Sequence, residues 1–246
     1  MSHAGITVLP SLDVTTAQPG FAGVADARAA GAEVVWTVVV AGGSGARFGR
    51  PKQYESLGDA RVLDRSVAVA SRASAGVVVV VPGSDVDSES AVFRHVVAGG
   101  ASRSESVRAG LAAVPADATV VCVHDAARPF ASAELYARVV AAVAAGADGA
   151  IPGLAVTDTI KVVATDGTVA ATPDRATLRA VQTPQAFRAR ALREAHASGG
   201  DGTDDAALVE AAGGRVVVVD GEPMNRKITH PDDLDWARRV VQEETT

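Results

Sequence analysis

Residues 38–53, VVVAGGSGARFGRPKQ, join an apolar run to a glycine cluster and then to two cations, Arg47 and Lys52. Glycines in a loop allow backbone N–H groups to approach an anion closely, and the two cations add positive charge to the same loop. Three interpretations compete: a dinucleotide-binding fingerprint, a P-loop, and a phosphate-binding loop of another kind of nucleotide enzyme.

The spacing of the glycines excludes the first two interpretations. A dinucleotide fingerprint needs the pattern GxGxxG at the start of a helix, but Phe48 stands in place of the third glycine and Pro51 would interrupt the helix. A P-loop needs Gly-Lys followed by Ser or Thr, and this tripeptide is absent from the sequence. The stretch therefore predicts an anion-binding loop after a strand, suited to a triphosphate.

Charge and composition restrict the partners of this loop. The net charge of −6 over 246 residues argues against a general nucleic-acid binder. Cys122 is the only cysteine, which excludes an internal disulfide or a thiolate metal cluster and favours a reducing compartment. No apolar run reaches the ~18 residues of a membrane span, and residues 1–27 lack the basic start of a signal peptide. We expect a cytoplasmic protein with no nucleic-acid or membrane partner.

Lysine is rare in this chain, which has 23 basic residues but only Lys52, Lys161 and Lys227 as lysines. Because arginine serves at the other basic positions, the three lysines are candidates for places that need a compact ammonium group. The alternative is that three lysines remain by chance.

The elements that must position the loop follow from the periodicity of apolar residues. Valine-rich runs typical of strands buried on both faces occupy residues 34–40, 76–81, 119–124, 149–152 and 215–219. Helical patterns occupy residues 60–71, 103–114, 132–145, 186–197, 204–212 and 231–242. This alternation predicts an α/β three-layer sandwich around a mostly parallel, doubly wound sheet. Loops after the strands would then meet at one ligand-binding edge.

Two regions depart from the alternation. We expect residues 1–33 to form a poorly ordered extension and residues 34–246 to form a single domain. Residues 153–180, here called the arm, carry β-branched residues around Asp166-Gly167, a dipeptide typical of hairpin turns. The arm has three interpretations: a cover over the active site, a dimer clasp or an ordinary edge hairpin.

The order of the motifs resembles one family. The loop AGGSGARFGRPKQY is similar to the signature of nucleotidyltransferases. It is followed by GGASRSESVRAGL (99–111), VHDAARP (123–129), TDTIK (157–161), RAVQTPQ (179–185), GTDDAALVE (202–210) and KIT (227–229). These motifs resemble, in this order, the 2-C-methyl-D-erythritol 4-phosphate cytidylyltransferase family. The resemblance implies a nucleotide-diphospho-sugar transferase-like fold with a protruding β-arm. It also implies transfer of CMP from CTP to methylerythritol phosphate, with release of pyrophosphate, in the non-mevalonate pathway to isoprenoid precursors.

The resemblance also implies a set of binding residues. For CTP these are Ala41, Gly42, Gly43, Gly45, Gly100, Ala101, Ser106, Asp125 and Ala126. For methylerythritol phosphate they are Asp125, Arg128, Thr159, Arg175, Thr183, Thr203 and Lys227. A homodimer is implied, in which the arm of one copy brings Thr159 and Arg175 to the other. Mg²⁺, or another divalent cation, is implied near Asp125 and held mainly by the phosphates of CTP.

The implied chemistry needs charge rather than a general base, because the attacking phosphate oxygen is already an anion at pH 7. Arg47 and Lys52 would stabilise the transition state and the leaving pyrophosphate. Arg175 and Lys227 would hold the attacking phosphate in line. His124, at the end of a predicted strand, is expected to be packed and hydrogen-bonded rather than catalytic.

Local roles are also predicted for several polar residues. Ser102 or Ser104 is a candidate cap for the helix that follows, and Thr203 is expected to cap its own helix and to reach the substrate. Arg103 has two interpretations, neutralising a phosphate or supporting its loop.

Some positions differ from the family pattern and leave rivals open. Ala101 stands where relatives often have Asp, and Arg226 stands where they usually have an apolar residue. Ala127 favours the methylerythritol enzyme over the similar ribitol-5-phosphate cytidylyltransferases, which remain one alternative. A nucleotide-binding module without turnover is the other. We expect no cyclase domain to follow, because few residues follow the last helix.

Overall fold

A computed structural model describes residues 33–43, 45 and 47–244, so most of the predicted N-terminal extension lies outside the described residues. The strands are β1 (Val35–Val40), β2 (Ser56–Leu57), β3 (Ala60–Arg61), β4 (Gly76–Val81), β5 (Val96–Ala98), β6 (Val120–Asp125), β7 (Gly149–Ala155), β8 (Val162–Val163), β9 (Val169–Ala171), β10 (Arg179–Val181), β11 (Gln185–Arg188) and β12 (Val216–Asp220). The helices are α1 (Val62–Ala73), α2 (Val86–Ser90), α3 (Arg103–Ala113), α4 (Ala133–Ala144), α5 (Ala189–Ala197), α6 (Asp205–Ala211) and α7 (Pro231–Glu244). Of the helices in this part of the chain, none is long and apolar enough to cross a membrane.

The central sheet is mixed and mostly parallel, with the strand order β10-β7-β11-β6-β1-β4-β5, and β12 pairs with β7. Strands β6, β1, β4 and β5 run parallel to one another, as does β12 to β7. Strand β11 is antiparallel to both β6 and β7, and β10 is antiparallel to β7. The predicted α/β architecture is confirmed.

Helices cover both faces of this sheet because successive valines of each strand point to opposite faces. Val39 faces α1 and α4, whereas its neighbour Val38 faces α3, α5 and α6; both side chains are fully buried. A smaller cluster forms where α7 packs against β2 and the start of α1, and it includes Phe48 and Ile228. This cluster holds Phe48 of the anion-binding loop, and Leu57 after the loop, against α7.

One predicted helix begins too early. The helix expected over residues 186–197 starts only at Ala189, and residues 185–188 instead form β11. The reason is that Ala186 and Phe187 fill the space between β6 and β7, where their apolar side chains are fully buried and their backbone pairs with both strands. A short apolar run does not by itself distinguish a strand from the start of a helix.

The arm leaves the sheet between β7 and β10. Its outer part contains the two-stranded sheet β8–β9, joined by a turn in which Gly167 has a φ of +85° and Thr168 donates its backbone N–H to Asp166. The turn predicted at Asp166-Gly167 is therefore present. Both short strands are exposed to solvent in this single chain.

Candidate active site

Two neighbouring cavities open at the carboxyl ends of β1 and β6. The first, of about 480 Å³, is lined by all of the residues predicted to bind CTP: Ala41, Gly42, Gly43, Gly45, Gly100, Ala101, Ser106, Asp125 and Ala126. Three of the predicted catalytic cations, Arg47, Lys52 and Lys227, line it as well. The second, of about 420 Å³, is lined among others by Arg128, Val181, Arg226, Lys227 and Asp233. Lys227 lies at the boundary of the two cavities, because it lines both.

The anion-binding loop after β1 depends on the conformation of Gly45. This residue has a φ of +69°, and a Cβ atom added to it would lie 1.9 Å from the carbonyl oxygen of Arg50. The Gly45 carbonyl accepts the backbone N–H groups of Phe48 and Gly49, which closes the turn. Phe48, in place of the third glycine of a dinucleotide motif, is buried in the cluster with α7. Phe48, which stands where a dinucleotide motif would have its third glycine, thus anchors the far side of the loop.

Lys52 begins a short 3-10 helix directly after this turn and is half-buried at the wall of the first cavity. Burial lowers the pKa of Lys52, and the nearby cations Lys227 and Arg47 lower it further. The adjacent Gln53 is buried and donates its side-chain amide to the carbonyl of Gly43 at 3.3 Å. Gln53 lies inside the matched motif, but no sequence pattern predicts its contact with Gly43.

The opposite wall is the segment that leads into α3. Ser102 caps this helix by accepting the backbone N–H of Glu105, as one of the two predicted alternatives required. The Ser106 hydroxyl accepts the backbone N–H of Gly100 at 3.2 Å and donates to the Ser102 carbonyl at 3.0 Å. A Cβ atom on Gly100 would lie 2.3 Å from the Cβ of Glu105, so glycine is required here. Ser106 lines the cavity and also holds this wall in shape.

A chain of charged groups crosses the floor of the first cavity. Asp125, the last residue of β6, accepts from Lys227 Nζ at 2.6 Å, and its other oxygen lies 3.5 Å from Arg103 Nε. Arg103 Nη1 lies 2.8 Å from the fully buried carboxylate of Asp205, which also contacts His196 Nε2 at 3.0 Å. Arg103 is therefore engaged by two carboxylates as well as lining the cavity, which favours the supporting role for this residue.

These contacts set the charge of the floor. Burial alone would raise the pKa of Asp125, but Lys227 and Arg103 outweigh it and hold the pKa well below its usual range. Burial would also lower the pKa of Arg103, yet Asp205 and Asp125 raise it. Among the described residues, four cations (Arg47, Lys52, Arg103 and Lys227) but only one acid, Asp125, line the first cavity. The cavity is built to hold a polyanion.

His124 is not placed to act as a base. Its imidazole is fully buried, with Nε2 3.1 Å from the Arg128 carbonyl and Nδ1 3.2 Å from the Thr183 hydroxyl. Burial lowers the pKa of His124 to about 4. The prediction of a packed, hydrogen-bonded histidine is confirmed. The same Thr183 hydroxyl accepts the backbone N–H of Asp125 at 3.0 Å, so it holds the end of β6 in place.

Similarity to known proteins identifies the family. The family model described as "IspD: 2-C-methyl-D-erythritol 4-phosphate cytidylyltransferase" matches residues 35–243. The chain belongs to this family. A 2-C-methyl-D-erythritol 4-phosphate cytidylyltransferase of Rhodococcus jostii is 49% identical over 217 residues, which cover 85% of this chain and 96% of the relative. A protein of the same name from Nocardia farcinica is 44% identical over 84% of this chain and 94% of its own length.

Solved structures of cytidylyltransferases share the fold. The 4-diphosphocytidyl-2C-methyl-D-erythritol synthase of Anaerococcus prevotii superposes with a TM-score of 0.76 at 28% identity, covering 85% of this chain and 99% of the other. The 2-C-methyl-D-erythritol 4-phosphate cytidylyltransferase of Thermus thermophilus gives a TM-score of 0.71 at 35% identity, covering 83% and 98%.

Four predicted substrate residues of this cytidylyltransferase-family chain line neither cavity: Thr159, Arg175, Thr183 and Thr203. Thr159 and Arg175 are exposed on the arm, where Arg175 Nη1 donates to the carbonyl of Thr157 at 2.9 Å. Thr203 is exposed and does not cap α6, so that part of its prediction is wrong. The cap is Asp204, whose carboxylate accepts the backbone N–H of Ala207 at 3.0 Å. The helix begins one residue later than a Thr203 cap requires.

The protein groups near Asp125 offer few ligands to a divalent cation. Among residues 33–43, 45 and 47–244, no group of three or more His, Cys, Asp and Glu side chains could hold a metal ion. Asp125 is the single carboxylate at the first cavity in this part of the chain, and it is already paired with Lys227. Such a site fits Mg²⁺ only where substrate phosphates supply most of the ligands, as is usual for this ion.

Proposed function

We propose that this chain transfers CMP from CTP to 2-C-methyl-D-erythritol 4-phosphate, giving 4-CDP-2-C-methyl-D-erythritol and pyrophosphate. The observation that carries the proposal is the position of Lys227. It lies between a polycationic cavity with a glycine loop and a second cavity that contains Arg128. A cation at this boundary can neutralise the attacking phosphate of one substrate and the α-phosphate of the other.

The two substrates are assigned to the two cavities by size and charge. CTP occupies the first, with its triphosphate against the glycine loop and its cytosine against the segment from Gly100 to Ser106. The N–H groups of Gly100 and Ala101 already donate to Ser106 and Glu105. With Ala101 in place of an acidic side chain, the base is therefore recognised by backbone carbonyl groups of this wall. Methylerythritol phosphate occupies the second cavity, with its phosphate towards Lys227.

The proposed reaction is an in-line displacement at the α-phosphorus. A phosphate oxygen of the second substrate attacks, the bond from the α-phosphorus to the bridging oxygen breaks, and pyrophosphate leaves with that oxygen. No proton has to be removed, which agrees with the burial of His124 next to Asp125, where its imidazole is neutral at pH 7 and cannot reach a substrate. Lys52 and Arg47 stabilise the charge that develops on the leaving group, and Lys227 holds the nucleophile in line.

Mg²⁺, or another divalent cation, is proposed as the cofactor, and the support is the chemistry of the donor set. Asp125 is the protein group that would hold it, together with the phosphates of CTP. Bound there, the ion would offset part of the triphosphate charge.

We also propose a homodimer formed through the arm. The arm exposes Ile160, Val162, Val163 and Val169 by 39%, 48%, 57% and 59%. Contiguous exposed apolar side chains on a protruding hairpin indicate a surface that another chain covers. A second copy seated there would bring Thr159 and Arg175 to the other copy's second cavity, which accounts for their distance from the cavities of their own chain.

A cytoplasmic location is proposed as well. Its support is the single cysteine, Cys122, which is fully buried, and burial raises the pKa of its thiol to about 12. A thiol of this kind takes no part in disulfide chemistry.

The test is a pyrophosphate-release assay that crosses CTP, UTP and ATP with methylerythritol phosphate and ribitol 5-phosphate. We expect turnover with CTP and methylerythritol phosphate only. Turnover restricted to ribitol 5-phosphate would show that the chain is instead a ribitol-5-phosphate cytidylyltransferase. Nucleotide binding without pyrophosphate release in any combination would indicate a module without catalysis.

A further inference from the structure

Arg226 is a cation of the second cavity that the resemblance to the family does not explain. It directly precedes Lys227 in sequence and lines the second cavity, but not the first. Its guanidinium carbon lies 4.4 Å from the ring centroid of Trp236, within the range of a cation–π interaction. The Trp236 ring in turn packs edge-on against Phe130, with centroids 5.4 Å apart. The Trp236 ring, supported by Phe130, thus forms an aromatic platform under Arg226.

The acid beside Arg226 does not neutralise it effectively. Arg226 Nη2 lies 3.4 Å from Asp233 Oδ1, which is long for a charge-assisted hydrogen bond, and the arginine side chain is 49% exposed. The other oxygen of Asp233 accepts the backbone N–H groups of Thr229 and His230 at 2.9 and 2.8 Å. Asp233 therefore serves mainly the start of α7, and an exposed pair of this length contributes little.

The other two cations of the cavity are held by shorter contacts to protein acceptors. Arg128 donates to the carbonyls of Asn225 at 2.8 Å and Val181 at 3.3 Å. Lys227 donates to Asp125 at 2.6 Å. Of these three cations, Arg226 has the longest contact with a protein acceptor, 3.4 Å to Asp233. The Trp236 ring nevertheless positions its guanidinium. A guanidinium prepared in this way can bind a phosphate or its neighbouring oxygens with little loss of conformational entropy.

We propose that Arg226 is an additional binding residue for the phosphorylated second substrate, an inference that rests on the proposed function. Because it faces the second cavity alone, its charge acts on this substrate equally before and during the displacement. A residue of this kind lowers the KM for its substrate and leaves kcat unchanged. The KM for CTP is also unaffected, because CTP lies in the first cavity.

The experiment compares Arg226→Gln with Arg238→Gln. Arg238 lies on α7, pairs with Glu55 and Asp235 at 3.6 Å, and lines neither cavity, so its substitution removes the same charge from the same region. With Arg226→Gln we expect the KM for methylerythritol phosphate to rise by about tenfold, as for loss of one charged hydrogen bond. The kcat and the KM for CTP stay within twofold, and Arg238→Gln leaves all three at the wild-type values.

Two further variants separate the contribution of the planar, charged Arg226 side chain from that of the Trp236 ring beneath it. Arg226→Lys keeps the charge without the planar group, and Trp236→Leu keeps the arginine without its support; both are expected to raise the same KM by less than Arg226→Gln. In addition, the KM of the wild type should increase more steeply with salt than that of Arg226→Gln.

The outcomes distinguish this inference from the proposed function. If the wild type turns over methylerythritol phosphate and Arg226→Gln matches Arg238→Gln in its KM for that substrate, the inference alone is overturned. A fall in kcat at unchanged KM overturns it equally. A wild type that releases no pyrophosphate from CTP and methylerythritol phosphate overturns the proposed function, and this inference with it.

Discussion

Lys52 is the side chain that the proposed chemistry needs most at the leaving group. It is half-buried and close to Lys227 and Arg47. Desolvation and like-charge repulsion therefore destabilise its charged form in the folded protein. We expect Lys52→Ala to lower kcat by ~10²-fold, the usual loss when one donor to developing charge is removed. Stability should not fall, since the repulsion is relieved. Steady-state kinetics with denaturant unfolding checks both expectations.

The control for Lys52 is Arg190→Ala. Arg190 is exposed on α5, where its guanidinium donates to Glu194 at 2.7 Å, and it lines neither cavity. This substitution removes one positive charge without touching the triphosphate or the arm. Equal activity of the two variants would remove Lys52 from the mechanism.

His124 makes the stability of the fold depend on pH in the acid range. Its pKa is about 4 in the folded chain against 6.5 for the free side chain. Between pH 6.5 and 4 the unfolded chain therefore binds a proton that the folded chain does not. The free energy of unfolding falls across this window as the pH is lowered, by about 3 kcal/mol from this residue. Urea denaturation at a series of pH values measures it.

The comparison for this prediction is His124→Gln, which keeps a polar side chain but cannot take up the proton. The variant should lose stability at pH 7, because the contacts of His124 with Thr183 and the Arg128 carbonyl are disturbed. Its stability should then change less between pH 6.5 and 4 than that of the wild type. Parallel pH profiles for the two proteins would contradict the assignment.

At the scale of an element, the loop after β1 offers a test of shape without charge. Gly45→Ala combines an unfavourable φ of +69° with a clash against the Arg50 carbonyl. Gly49→Ala, at a φ of +88°, has no atom within 4 Å of the new Cβ. Both carry the backbone cost of about 1 kcal/mol, but only Gly45→Ala must displace the loop. We expect the KM for CTP to rise at least tenfold more in Gly45→Ala than in Gly49→Ala, measured by initial rates.

The elements that could be predicted from the sequence are those with a continuous local pattern. The valine run at residues 76–81 forms β4 with the predicted bounds, because a central parallel strand is buried on both faces. Strand β11 could not be predicted in the same way. Its four residues are a strand only because β6 and β7 lie on either side. Local periodicity contains no information about such neighbours.

The site shows the same division between local and distant information. The glycine loop and Lys52 belong to one contiguous motif, and both line the predicted cavity. The ion pair of Arg103 with Asp205 joins two motifs that are far apart in sequence, so its existence required the fold. The aromatic platform under Arg226 is similar, because Phe130 and Trp236 come from different parts of the chain. Spacing along the sequence does not reveal such pairs.

At the scale of the whole molecule, the proposed role of Arg175 requires a second chain. The cations Arg128 and Lys227 line the second cavity, while Arg175 lies on the arm, outside both cavities. The proposed symmetric dimer would bring Arg175 to this cavity through one surface, because each arm would reach the site of the other copy. Each active site would then combine Lys52 of one chain with Arg175 of the other.

Complementation between two inactive variants tests this arrangement. Lys52→Ala and Arg175→Ala chains carry different affinity tags, are co-expressed, and are purified as the mixed dimer. If the arm acts on the other copy, one site of the mixed dimer lacks both groups and the other site is intact. The mixed dimer should then have about half of the wild-type activity, as expected for two independent sites related by a two-fold axis. If each arm serves its own chain, every site lacks one group. The mixed dimer would then be no more active than the two parent variants, which would contradict the shared site.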